Sequence, residues 1–298
     1  MNRRAGLVAA AATGIQVGLG IVATRFVVDQ AGPVSLAFFR YALAFLCLLP
    51  VALKIAPWPF ARRDVIPVVL LGIVQCGLVI VFLNIALQYI PSARASLIFA
   101  TFPLLTMVLS VLFGKEAFST RVAFAVVVTI IGVGLALGEK VTETAVVDEG
   151  WIGELAAFAA ALSGAACSIF YRPYLMRYPT VSVGSLAMLA SVIFLAAAAA
   201  PEGLFETLPA FSDIGWMAVI FIGVGSGASY FLWLYALSNA GATEVTIYLG
   251  LSPVTAALGG AVLLGEIPGT ATFAGLVLVL AGLWLASRQQ PPQATGPA

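Results

Sequence analysis

Ten apolar runs, each close to the roughly 20 residues that cross a bilayer as a helix, follow one another along this chain of 298 residues. They lie near 5–27, 34–54, 65–88, 92–113, 119–138, 151–171, 181–200, 211–236, 242–264 and 270–287. The chain is 62% hydrophobic and only 9% charged, where soluble domains carry about 25% charge. It cannot cover its surface against water, so its solvent is lipid. Lipid offers no partner to a free backbone N–H or C=O, so each run is predicted to be a helix. Several are separated only by a turn, such as "YIPSA" at 89–93 and "SNAGA" at 238–242, which makes neighbours antiparallel hairpins. Arg3 and Arg4 ahead of an apolar stretch resemble a signal peptide. An equivalent first helix recurs after residue 150, so the first run is read as a span.

The same composition narrows the chemistry. There is no histidine, which removes the commonest general base and nitrogen metal ligand. Cys47, Cys76 and Cys167 all sit in apolar runs and read as small buried residues, with no disulfide framework. No HExxH, GxSxG or paired mid-membrane aspartates occur. An enzyme, a metal and a cofactor are therefore not expected. The net charge of +1 gives no reason to expect nucleic acid. The expected partners are a small-molecule substrate and the lipid bilayer, with the monomer as the working unit.

Basic residues set the orientation. With the N-terminus inside, cytoplasmic segments hold Arg3, Arg4, Lys54, Arg62, Arg63, Lys115, Arg121, Arg172, Arg177 and Arg288. Outer segments hold only Arg25, Arg94 and Lys140, and Arg40 lies within span 2. That bias predicts both termini in the cytoplasm. Trp58 and Phe60 beside Arg62 and Arg63 look like a cytoplasmic interfacial anchor. The tail at 288–298, "RQQPPQATGPA", has a disordered composition.

One phrase is written twice. "PLLTMVLSVLFGKE" occupies 103–116 and "PVTAALGGAVLLGE" occupies 253–266, so Pro103 and Pro253, like Glu116 and Glu266, are 150 apart. Ala86-Leu87 recurs as Ala236-Leu237 at the same offset. The chain divides into a first five-helix repeat (1–138), an acidic periplasmic linker (139–150) and a second repeat (151–287). An odd number of spans per half makes the second enter the membrane the other way up. This is the inverted-repeat plan of secondary transporters, with the site near the midplane at the repeat interface.

Ten spans, two repeats and a "P…GE" phrase ending the fourth span of each resemble the EamA branch of the drug/metabolite transporter superfamily. Within it the chain most resembles bacterial amino acid exporters of the YddG type. The resemblance covers about residues 5–287. It implies a basket-like bundle in which spans 1, 3, 4, 6, 8 and 9 surround a central cavity, with spans 5 and 10 outside. It also implies export of amino acids and related metabolites at the bacterial inner membrane.

The helix faces are compatible with a cavity. In span 4, Ser92, Ser96, Phe99, Pro103, Thr106 and Ser110 form one stripe of a 3.6-residue helix. In span 9 the stripe is Ala242, Thr246, Leu249, Pro253, Ala256 and Gly260. Such stripes either line a wet cavity or pack helices closely. Span 1 carries Thr13, Gln16, Gly20 and Thr24 on one face, and span 8 carries Ser226, Ser229, Tyr230 and Trp233. Span 6 offers Ser163, Cys167 and Phe170. Span 3 offers Gln75 and Asn84, which a straight helix cannot turn to the same side; Gln75 lies nearer mid-span. Unpaired amides are costly in hydrocarbon, so Gln16 and Gln75 point inward, to substrate or to each other. The candidate substrate site is Gln16, Gln75, Ser96, Phe99, Ser163, Tyr230, Trp233 and Tyr248. Pro103 and Pro253 are candidate hinges, each freeing the carbonyl four residues earlier, on Phe99 and Leu249. The alternative for each is a static kink.

No Asp or Glu lies near the middle of a span, although such acids are the usual proton carriers of coupled pumps. That points to a facilitator. Arg40 is expected to snorkel or to pair with a neighbour, leaving a cavity too poor in positive charge for sugar phosphates. The expectation is an inner-membrane secondary transporter exporting amino acids, aromatic and other apolar ones favoured, by alternating access. The alternatives are a multidrug/metabolite exporter or a sugar-phosphate antiporter of the same superfamily, and a channel. For the channel, "IGVGSG" at 222–227 is the one candidate pore lining.

Overall fold

The computed structural model describes residues 2–52, 60–115, 150–206, 209–266 and 269–287, with scattered positions between 120 and 135. Span 5, the linker up to residue 149, Trp58, Glu116 and the tail therefore lie largely or wholly outside the described residues. Within them the chain is helical: α1 (Arg3–Val27), α2 (Pro33–Ala52), α3 (Arg62–Gly72), α4 (Val79–Tyr89), α5 (Ser92–Phe99), α6 (Phe102–Leu112), α7 (Gly150–Arg177), α8 (Thr180–Ala198), α9 (Asp213–Asn239), α10 (Ala242–Ile247), α11 (Leu251–Leu263) and α12 (Thr270–Ser287). Eight stretches are long and apolar enough to cross a membrane, and α12 adds a shorter apolar helix.

Three spans are not simple helices. A π turn at Ile73–Leu78 joins α3 to α4, so span 3 runs unbroken from Arg62 to Tyr89 with one widened turn. Span 4 is broken between α5 and α6, and span 9 between α10 and α11, where Tyr248–Gly250 forms a 3-10 turn. The two prolines therefore do more than bend a helix. Pro103 and Pro253 sit in the first turns of α6 and α11. There their missing N–H has no intrahelical acceptor to lose and their fixed φ already suits a helix.

The repeated ending also has a structural job. Gly114 and Gly265 adopt left-handed φ of 63° and 68°, each just past the C-terminus of its helix. This conformation costs glycine no Cβ clash and stops a helix. Beyond the turn, the Glu266 carboxylate accepts the backbone N–H of Ser92 at 3.1 Å and its hydroxyl, capping α5 from the other half of the chain. Glu202 does the same for α2, accepting Val34 N–H at 3.0 Å and Ser35 N–H at 2.7 Å. A carboxylate at a helix N-terminus satisfies orphan donors and meets the positive end of the dipole.

Every first-half helix from α1 to α6 packs against helices of the second half. The pairing repeats when the halves are exchanged. α1 lies along α9 as α4 lies along α7, and α1 meets α11 as α7 meets α6. α5 meets α11 as α10 meets α6, and α2 pairs with its own counterpart, α8. Small residues permit these contacts. A Cβ on Gly14 would lie 2.2 Å from the Tyr248 carbonyl oxygen, and one on Gly18 would lie 1.7 Å from Thr255 Oγ1. This is the small-xxx-small surface through which membrane helices approach.

Candidate functional site

At the centre of the bundle is a cavity of about 70 Å³, with room for roughly five waters. Phe99, Phe102 and Leu249, at the two helix breaks, form part of its wall. α9 presents Ser226, Ser229, Tyr230 and Trp233, whose spacing places them on one face. Thr13 and Val17 come from α1, Gln75 from the π turn, and Val79, Ile80 and Leu83 from α4. Arg40 and Tyr41 come from α2. Span 2 thus contributes where span 6 was expected. α7 buries Ala157, Ala160, Ala161 and Gly164, and none of them is part of the cavity wall. The Phe102 ring lies directly over Gly164, where a Cβ would come within 2.2 Å of it.

The wall has an aromatic side and a polar side. Phe99 and Phe102 stack edge-on at 5.4 Å, and Phe102 and Trp233 at 5.9 Å. Such T-shaped contacts fix ring positions. Tyr230 is held by Tyr171, hydroxyl to hydroxyl at 2.9 Å. Two polar atoms on lining residues are buried without a hydrogen-bond partner, the Gln75 side-chain oxygen and the Trp233 indole N–H. An orphaned buried polar group costs about 1–3 kcal/mol, a cost that an occupant bonding to both atoms would relieve.

Arg40 does not snorkel. It is 8% exposed, and its Nε donates to Ser226 Oγ at 2.6 Å. Among the described residues no carboxylate pairs with it. Of the two expectations for Arg40, pairing with a neighbour holds and snorkelling does not, and the cavity lining carries this one positive charge. The cause is the close approach of α2 to α9. Gly223 lets the Leu43 side chain and Arg40 carbonyl come near, and Gly227 does the same for Ala44. That approach turns the Arg40 side chain across to Ser226.

Of the expected site residues, Gln75, Phe99, Tyr230 and Trp233 line the cavity. Gln16 lies between α1 and α9, its amide nitrogen over Gly225. Ser96 is fully buried and donates to the Ala93 carbonyl at 2.8 Å. Ser163 and Tyr248 are half-buried, away from the lining. Asn84 donates to the Pro33 carbonyl at 2.8 Å and anchors the start of α2. In the two stripes, Thr106 and Thr246 bond back to their own helices and only Phe99 and Leu249 reach the cavity. The stripes are mainly packing surfaces. Reasoning from sequence missed Tyr41, Phe102 and the role of Arg40. The available signal was the lone mid-span cation, since charges inside the membrane face cavities or partners.

Known proteins place this architecture. A crystal structure covering 93% of this chain and 96% of its own shares the fold, with a TM-score of 0.68 at 21% identity. A protein of Archaeoglobus fulgidus named an uncharacterized transporter is 25% identical over 92% of this chain and 95% of its own. A probable terminal-alkyne amino-acid exporter of Streptantibioticus cattleyicolor is 27% identical over 90% of this chain and 88% of its own. The description EamA-like transporter family matches residues 4–138 and again residues 151–288. Two such matches in tandem account for nearly the whole length, and this multi-pass, all-helical membrane protein belongs to the EamA-like transporter family.

Proposed function

We propose that the protein exports amino acids, aromatic and other apolar ones favoured, across the bacterial inner membrane by alternating access. The observation that carries this reading is the pair of unpartnered buried atoms beside an aromatic wall. The Gln75 oxygen can accept from an α-ammonium, and the Trp233 N–H can donate to an α-carboxylate. Phe99, Phe102 and Trp233 offer an apolar and π surface to the side chain. Broken helices at such a site recur in secondary transporters, where helix ends and freed carbonyls meet substrate. The relative named as a probable amino-acid exporter supports the substrate class.

The proposal includes ten spans in two inverted repeats and both termini in the cytoplasm. The start of span 4 meets the end of span 9 through Ser92 and Glu266, so these equivalent spans run antiparallel, as inversion requires. Among the described residues no carboxylate lines the cavity, which favours a facilitator over a proton-coupled pump. Sugar phosphate is the weaker reading, because a dianion would meet a single guanidinium.

Counterflow of radiolabelled amino acids in proteoliposomes tests the proposal. Trp233→Ala or Tyr230→Ala is expected to weaken aromatic and large aliphatic substrates more than small polar ones. The loss of one aromatic contact, about 0.5–1.5 kcal/mol, corresponds to roughly 2- to 13-fold. Gln75→Leu is expected to weaken all amino acids alike. An imposed pH gradient at zero membrane potential is expected to drive no uphill accumulation. Equal transport by all three variants at matched expression would show that these residues only pack the bundle.

A further inference from the structure

We infer that Arg40 is the carboxylate anchor of this cavity, which makes a carboxylate obligatory in the substrate. The inference rests on the proposed transport reading and sharpens its substrate class.

A guanidinium carries five donors and is always charged. Here it lies within span 2, about two turns from its start, nine-tenths buried, and among the described residues it makes one hydrogen bond, from Nε to Ser226. That bond leaves both terminal nitrogens unspent. Nη2 lies 3.5 Å from where a Gly20 Cβ would stand, so the guanidinium reaches across to α1. The Tyr41 ring centroid lies 6.0 Å from the guanidinium carbon. A hydroxyl and a distant ring do not neutralise it. Buried charge is otherwise paired, because the desolvation cost is several kcal/mol per ion.

The missing counter-ion has a defined shape. Two terminal nitrogens side by side match the two oxygens of a carboxylate in a fork. The cavity lining also carries an unpartnered N–H on Trp233 and an unpartnered side-chain oxygen on Gln75. A guanidinium fork for an anion and an acceptor for a cation on one cavity lining suit the polar end of an α-amino acid. Amines without a carboxylate leave the charge unpaired and are excluded. A phosphate dianion leaves one negative charge unmatched.

The test uses purified full-length protein in proteoliposomes. Labelled phenylalanine is competed by 3-phenylpropionate, which lacks the amine, and by phenethylamine, which lacks the carboxylate. The expected result is competition by the acid and none by the amine. Arg40→Met is expected to lose roughly 30-fold or more in phenylalanine affinity. Its melting temperature without substrate should not fall, since an unpaired buried charge has been removed. Arg40→Lys, which keeps charge but not the fork, should fall between. The analogue comparison on the wild type stands even if a variant misfolds. Equal competition by the amine, or wild-type phenylalanine affinity in a folded Arg40→Met, overturns the anchor and leaves the amino acid reading intact. If no amino acid is carried but 3-phenylpropionate raises the melting temperature of the wild type and not of Arg40→Met, the amino acid reading falls and the anchor stands. If no carboxylate binds or is carried, both fall.

Discussion

At the scale of single residues, Trp233 separates fold from function. Its ring completes the stack with Phe102, while its N–H is buried without a partner. Trp233→Phe keeps much of the ring and deletes the orphan donor. It is expected to leave unliganded stability unchanged or to raise it by about 1 kcal/mol, read from thermal unfolding in detergent. Transport of amino acids should weaken in the same variant. A loss of stability would mean that the N–H has a partner. The α9 face was legible in the sequence because Ser226, Ser229, Tyr230 and Trp233 stand at helical spacing among aliphatic neighbours. Arg40 was legible as an anomaly and not as a cavity residue. Its direction depends on Gly223 and Gly227, nearly two hundred residues later, and no local pattern reports which neighbour a helix will approach.

Elements show the same division. Prolines 150 residues apart announced two equivalent irregularities, and the chain breaks at both. A π turn has no comparable residue signature, so the widened turn carrying Gln75 was invisible. The carboxylate caps were half visible. Glu266 was conspicuous as the last letter of a repeated phrase, but its target is set by tertiary packing. Glu266→Ala and Glu202→Ala are each expected to cost about 1–2 kcal/mol, seen as lower melting temperatures, because α5 and α2 lose their N-terminal acceptors. Glu206→Ala, on an exposed residue outside these caps, should change little. Equal effects of the three would dismiss the caps as stabilising contacts.

For the whole molecule, the contacts sort the loops into two ends. Asn2 N–H meets the Asn239 side chain at 2.9 Å, and Arg3 pairs with Glu244. At the other end Arg25 faces Glu266 at 3.5 Å, and Gln30 meets Ser212 at 3.0 Å. Single cysteines at Arg63 and Glu206 on a cysteine-free background are therefore expected to differ. An impermeant reagent added to intact cells should label residue 206 and spare residue 63, and the reverse pattern would invert the topology. The exchange-symmetric pairing has a consequence in time. Arg40 and its hydrogen-bond partner Ser226 are 186 residues apart, and synthesis at about 5–20 residues per second separates them by roughly 10–40 s. During that interval the guanidinium has no hydroxyl, and α1 to α6 lack the surfaces they pack against. A chain stopped between the two halves would therefore hold that charge without its one side-chain partner.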